Sequence, residues 1–213
     1  QVMLSDIADS GLSVRYTMNN QSTSGTEYAR ATDFGDVASA TVNDAQWKYK
    51  ISELYASYDV APEVLSFPVT VYGAYGINHD AEELTNTNGN KKDSFYYVGA
   101  NIGSLEKMGD WTVDAYYAKV EAQALPTQDI SMNGRGNLSG VGTAGNPTTV
   151  ATAANAAAVS DRSNFKGWTV EAGYSITDDL VFGMSYFNYD AADDTIGTTN
   201  DFRQLQAELV YAF

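Results

Sequence analysis

Residues 165–189 read FKGWTVEAGYSITDDLVFGMSYFNY, and this stretch decides the fold. Trp168, Val170, Ala172, Tyr174 and Ile176 fall on one side of an extended chain, opposite Gly167, Thr169, Glu171, Gly173 and Ser175. After Thr177, Asp178 and Asp179 the alternation resumes, with Leu180, Phe182, Met184 and Tyr186 opposed to Val181, Gly183 and Ser185. Successive side chains of a strand point to opposite faces. Two period-two runs split by so short a turn therefore predict an antiparallel hairpin with one apolar and one polar face.

The same pattern recurs on both sides of this hairpin. Tyr96, Val98, Ala100 and Ile102 oppose Tyr97, Gly99, Asn101 and Gly103. Trp111, Val113, Ala115 and Tyr117 oppose Thr112, Asp114, Tyr116 and Ala118. Val69, Val71 and Tyr75 alternate with Thr70, Tyr72 and Ala74. In QWKYKISELYASYDV, Trp47, Tyr49 and Ile51 set one phase and Leu54, Ala56 and Tyr58 the other, which a bulge near Glu53 would reconcile. GLSVRYTMN is the weakest strand signal. The terminal DFRQLQAELVYAF (201–213) puts Leu205, Ala207, Leu209, Tyr211 and Phe213 on one face and Gln204, Gln206 and Glu208 on the other.

These segments make eight strands whose connections alternate in length. Short links at 59–66, 104–110 and 177–179 interleave with long ones at about 20–44, 78–93, 122–164 and 189–200. Short turns on one side and long loops on the other are the layout of an up-and-down transmembrane β-barrel. In such a barrel the apolar face meets lipid, with Trp111, Trp168, Tyr174, Tyr186 and Tyr211 as candidates for its aromatic girdle. The polar face, rich in Gly, Ser, Thr and Asn, suits a wet lumen. A β-sandwich that binds a ligand in water is a weaker alternative, since it does not sort loop lengths this way.

Composition narrows the function classes. Of 213 residues, 27 are acidic and 12 basic, a net charge of −15, which disfavours a nucleic-acid surface built on clustered cations. Cysteine is absent, removing disulfides, thiolate metal sites and Cys nucleophiles. No run approaches the roughly 18 apolar residues of a membrane helix, but membrane strands bury only alternate side chains and escape that criterion.

Three stretches together resemble the porin family of Gram-negative outer-membrane β-barrels: FPVTVYGAYGIN (67–78), GSLEKMGDWTVDAYYAKVEAQA (103–124), and DRSNFKGWTVEAGYSITDDLVFGMSYFNYDA (161–191) with the terminal DFRQLQAELVYAF. The resemblance covers roughly residues 47–213 and implies a channel in the cell outer membrane, usually of more than eight strands. It further implies that Leu209, Tyr211 and Phe213 form the signal read by the outer-membrane barrel assembly machinery. Val2, Met3 and Leu4 read as the tail of a descending strand. The chain is therefore expected to be a single barrel domain over 1–213, the C-terminal half of a barrel of about 16 strands whose first strand lies upstream of Gln1. A complete eight-stranded barrel is the alternative. Small residues on the polar face (Gly99, Gly103, Gly167, Gly173, Gly183, Ser185) would fill a narrow barrel poorly and favour the wide one.

The expected function is passive diffusion of small hydrophilic solutes and ions, with lipid bilayer and lipopolysaccharide as surroundings and a homotrimer as one possible assembly. The pore-lining candidates are Lys48, Lys50, Asp114, Glu171, Gln204, Gln206 and Glu208, and their acidic excess with that of the loops predicts mild cation preference. The 122–164 loop would cover the mouth or fold into the pore. Catalysis and cofactors are not expected. The single histidine, His79, would need a serine from another segment to make a nucleophile. His79 with Asp80, Glu82 and Glu83, and Asp190 with Asp193 and Asp194, are weak metal sets; solvated acidic loops are commoner. NGRGNLSGVGTAGN (133–146) lacks the following helix of a phosphate loop. The rival function is a non-conducting eight-stranded barrel that binds a partner through acidic loops.

Overall fold

A computed structural model describes residues 1–22, 48–60, 67–81, 91–121, 124–125, 165–193 and 201–211. Nine strands form one antiparallel sheet in sequence order: β1 Val2–Leu4, β2 Leu12–Ser22, β3 Lys48–Val60, β4 Val69–Asn78, β5 Ser94–Gly103, β6 Trp111–Val120, β7 Phe165–Thr177, β8 Leu180–Ala191 and β9 Phe202–Tyr211. The chain is all-β and up-and-down, as the alternation predicts. It has one strand more than the eight expected, because Val2–Leu4 pairs with Val14–Tyr16. The sheet is not closed: β1 and β9 are its two edges. No helix among the described residues is long and apolar enough to cross a membrane, which says nothing of strands.

The weakest sequence signal, around 11–19, becomes an eleven-residue strand, β2, paired along its whole length with β3. Its outer positions Leu12, Val14, Tyr16 and Met18 do alternate. The expected bulge near Glu53 is absent. β3 pairs without interruption from Lys48 to Tyr58 on the β2 side and from Ile51 to Val60 on the β4 side. The one irregularity in register lies between Ser175 and Thr177, beside the turn at 178–179.

The turns at one end lock together. Asp110 accepts the N–H groups of Glu106 and Lys107 at 3.1 and 3.0 Å, and Asp178 accepts that of Met108 at 2.7 Å. Gly109 donates to the Ser175 carbonyl at 2.8 Å and Ser175 to that of Asp110 at 2.9 Å, so the 104–110 turn is stitched to β7. Gly109 takes φ 90° here and Gly103 φ 84°, left-handed values that suit glycine.

Candidate functional site: the two faces of the sheet

Register through all nine strands divides the side chains cleanly into two faces. One face is apolar: Leu12, Val14, Tyr16 and Met18 on β2; Leu54, Ala56 and Tyr58 on β3; Val69, Val71, Tyr75 and Ile77 on β4; and onward to Leu205, Ala207, Leu209 and Tyr211 on β9. Most of these side chains are exposed. Trp168 is 54% exposed, Tyr75 52% and Leu209 64%. Burying such a surface is worth roughly 25 cal/mol per Å², so a contiguous apolar face left bare in water is anomalous.

The apolar face is six to eight residue steps high on the last four strands. On β6 it runs from Trp111 to Tyr117, on β7 from Trp168 to Ile176, on β8 from Leu180 to Tyr186 and on β9 from Leu205 to Tyr211. Six residue steps from Trp111 to Tyr117 measure about 20 Å along the strand. Aromatic rings mark both ends. Near the short turns Trp111 lies tilted at 5.9 Å from Phe67 and stands beside Tyr174 in register, with Tyr211 opposite Leu180. Near the other end Tyr117 lies 5.1 Å from Trp168 and 6.2 Å from Tyr96. All five expected girdle residues, Trp111, Trp168, Tyr174, Tyr186 and Tyr211, are exposed on this face.

The second face is mixed. Across its middle runs a polar row linked strand to strand: Asp59, Thr70, Asn101, Asp114, Glu171, Ser185 and Gln206. Thr70 donates to Asp59 at 2.6 Å, and the Tyr72 hydroxyl to Asp114 at 2.5 Å. Asp114 and Glu171 are direct cross-strand neighbours, a like-charge pairing that normally destabilises a sheet. Gln204 and Glu208 share this face on β9, opposite Phe187 and Gly183. Asp114, Glu171, Gln204, Gln206 and Glu208 thus lie where the alternation puts them.

Lys50 does not. Uninterrupted pairing of β3 gives it the parity of Ser52, Leu54 and Ala56, so it stands exposed at the end of the apolar face. Tyr49 and Ile51 correspondingly belong to the mixed face, where they are buried. With Tyr49 and Ile51 on the mixed face, Lys50 between them turns to the other one. Lys48 lies in β3, but its side chain is outside the described residues, as are Phe213, Asp194, Glu82, Glu83 and the loop residues 126–164.

The sequence reading missed an apolar cluster at the long-loop end of the mixed face. Tyr49, Ile51, Phe95, Ala118, Val120, Ala124, Phe165, Phe187 and Tyr189 pack together, with Phe165 at 0% and Tyr189 at 1% exposure. Phe165 and Tyr189 meet edge to face at 5.0 Å, and the Tyr189 hydroxyl hydrogen-bonds the buried Thr169 hydroxyl. Glycines make room for the rings: a Cβ on Gly76 would collide with the Phe95 ring. That pairing of Gly76 with Phe95 is the available signal, but it appears only once the register is known.

Other candidates resolve as follows. Ser52 Oγ and His79 Nε2 lie 2.7 Å apart, so β3 does supply His79 with a serine. Among the described residues no carboxylate orients the ring, and the pair sits at the rim of the apolar face. Asp193 is held by Lys92 at 2.7 Å, while Asp190 stands on the apolar face opposite Lys166. Among the described residues no three metal-ligating groups gather. Glu121, one residue past β6, feels burial against its charge. The Ser94 N–H and hydroxyl at 3.2 and 2.9 Å and Lys119 at 3.1 Å prevail and hold its pKa below the usual value.

No protein-family model matches this chain, and no curated protein matches it.

Proposed function

We propose that this sheet is part of the wall of a transmembrane β-barrel in a Gram-negative outer membrane, and that the barrel is a porin for small hydrophilic solutes and ions. The observation that carries the reading is the apolar face: continuous over β2–β9, exposed, and edged by aromatic rings at both ends. The resemblance of residues 67–78, 103–124 and 161–191 to porin sequences points the same way. The mixed face then lines the lumen.

Closure follows from strand direction. In an up-and-down sheet β1 and β9 run the same way, so joining them directly would make a parallel pair. An all-antiparallel barrel requires β9 to bypass β1 and pair with β2, or further strands between the two edges. The lumen charge is acidic: Glu53, Asp59, Asp114, Glu171 and Glu208 oppose Arg15, which Glu53 already holds at 3.2 Å. With Lys50 on the other face, cation preference is stronger than the sequence suggested.

A second reading has its own observation. The buried rings of Phe95, Phe165, Phe187 and Tyr189 occupy one end of the lumen face. In an eight-stranded barrel they would stop conduction, leaving a structural or partner-binding barrel. Planar-bilayer recording across a salt gradient separates the readings. The porin gives stepwise conductance and a reversal potential of cation-selective sign. Anion selectivity overturns the charge argument, and silent insertion favours the closed barrel.

A further inference from the structure

The two rims of the apolar face differ in charge: the short-turn rim is almost wholly acidic, whereas the long-loop rim sets bases at the ends of four strands among its acids. At the long-loop rim the next position beyond Tyr117 on β6 is Lys119, beyond Trp168 on β7 is Lys166, and beyond Leu205 on β9 is Arg203; Lys50 lies two positions past Leu54 on β3. At the short-turn rim stand Asp6, Asp9, Glu106, Asp110, Asp178 and Asp179, with Lys107 the cation there. The chain has more than twice as many acids as bases, yet it gathers its strand-end bases at one rim.

Lys119 and Lys166 are direct cross-strand neighbours. Like charges so placed repel, and opposite β-residues bring their Cβ atoms to about 5 Å. The acids on this rim only partly offset them. Glu121 holds one of the three Lys119 donors and is itself occupied by Ser94; Arg203 pairs with Asp201 at 3.3 Å and donates to Asn188 at 3.0 Å. Asp190 is opposite Lys166 without forming an ion pair with it, and Lys50 and Lys166 form no ion pair among the described residues. Tyr96 stands level with Lys119 in register, and Tyr117 and Trp168 lie one same-face step below, rings of the kind that settle at the head-group level of a bilayer.

We infer that this rim is a binding belt for lipids whose phosphate-bearing head groups carry net negative charge, in the leaflet on the long-loop side, with Lys119 and Lys166 bracketing one phosphate. A lysine at this height can leave its stem on apolar surface while its ammonium group reaches the head-group oxygens. The belt rests on the membrane reading above, and its test keeps the two apart.

The test uses the full chain in detergent, titrated with phosphatidylglycerol and followed by native mass spectrometry, beside K119Q/K166Q and, at the opposite rim, K107Q. Each rim lysine removed is expected to weaken phosphatidylglycerol binding about fivefold, K107Q to leave it unchanged, and phosphatidylcholine to bind less well throughout. Excess inorganic phosphate should not displace the lipid; full displacement would identify a site for free phosphate and overturn the belt. Insertion of wild-type protein into phosphatidylcholine vesicles is measured in parallel by flotation. Insertion together with unaltered lipid binding by K119Q/K166Q overturns the belt and spares the barrel. Failure to insert overturns both.

Discussion

Ala207 and Gln206 are adjacent on β9, both exposed, at the same height on the strand, and on opposite faces. Ala207 stands opposite Met184 between Leu205 and Leu209; Gln206 stands opposite Ser185. In water, arginine at either exposed position would change stability by about 0.5 kcal/mol or less. In a bilayer the two diverge. Ala207 is within one residue, or about 3 Å, of the middle of the Leu205–Tyr211 band. Arginine facing lipid at that depth costs about 2–4 kcal/mol. A 3 kcal/mol difference is roughly 150-fold in the folding equilibrium. Gln206→Arg instead projects towards Glu171 and Glu208 and should be close to neutral. Equilibrium urea unfolding of the protein refolded into phosphatidylcholine vesicles, followed by tryptophan fluorescence, measures both. If Ala207→Arg and Gln206→Arg lie within about 0.5 kcal/mol of each other, the apolar face does not meet lipid and the argument from exposure fails.

Two further outcomes test the remaining energetics. Phe165→Ala removes a wholly buried ring from its contact with Tyr189 and should cost about 3–5 kcal/mol, read as a lower urea midpoint; a cost under 1 kcal/mol would mean the cluster is not packed as described. Glu121 has a lowered pKa, so its contribution is complete above the unfolded carboxylate value of about 4.3 and is lost as pH falls below it. The stability gap between wild type and Glu121→Gln should therefore shrink from pH 6 towards pH 3, and a gap that widens on acidification contradicts the assigned sign.

The strands that sequence exposes most plainly are those whose two faces differ in kind. β6, β7 and the first half of β8 set Trp, Val, Tyr and Met against Thr, Asp, Gly and Ser, and short turns fix β5 beside β6 and β7 beside β8. The pattern fails where both faces carry apolar residues. Period two says which residues share a face, but not whether a given apolar run meets lipid or packs inside the sheet. Tyr49 and Ile51 were assigned to the wrong face for that reason, and Phe187 and Tyr189 continue the parity of Val181, Gly183 and Ser185 while changing its character from small and polar to aromatic. What distinguishes them is a partner on another strand. Gly76 leaves room for Phe95, and Gly167, at φ 153°, lies against Tyr189. These small-to-large matches span 19 and 22 positions of sequence respectively.

One misplaced phase has a disproportionate electrostatic consequence. Lys50 assigned to the Asp114–Glu171 face would offset one of the carboxylates there and supply a cation to any lumen. On the apolar face it does neither, and it joins Lys119, Lys166 and Arg203 at the rim. A single parity error in β3 thus moves charge from one proposed function to another: it weakens the case for cation preference and hides the cationic belt. Neither charge count nor loop composition could reveal it, because net charge is indifferent to which face a residue occupies. Only the pairing of Lys50 with Asn20, two steps along from Met18 with Ser52, fixes the side from which it acts.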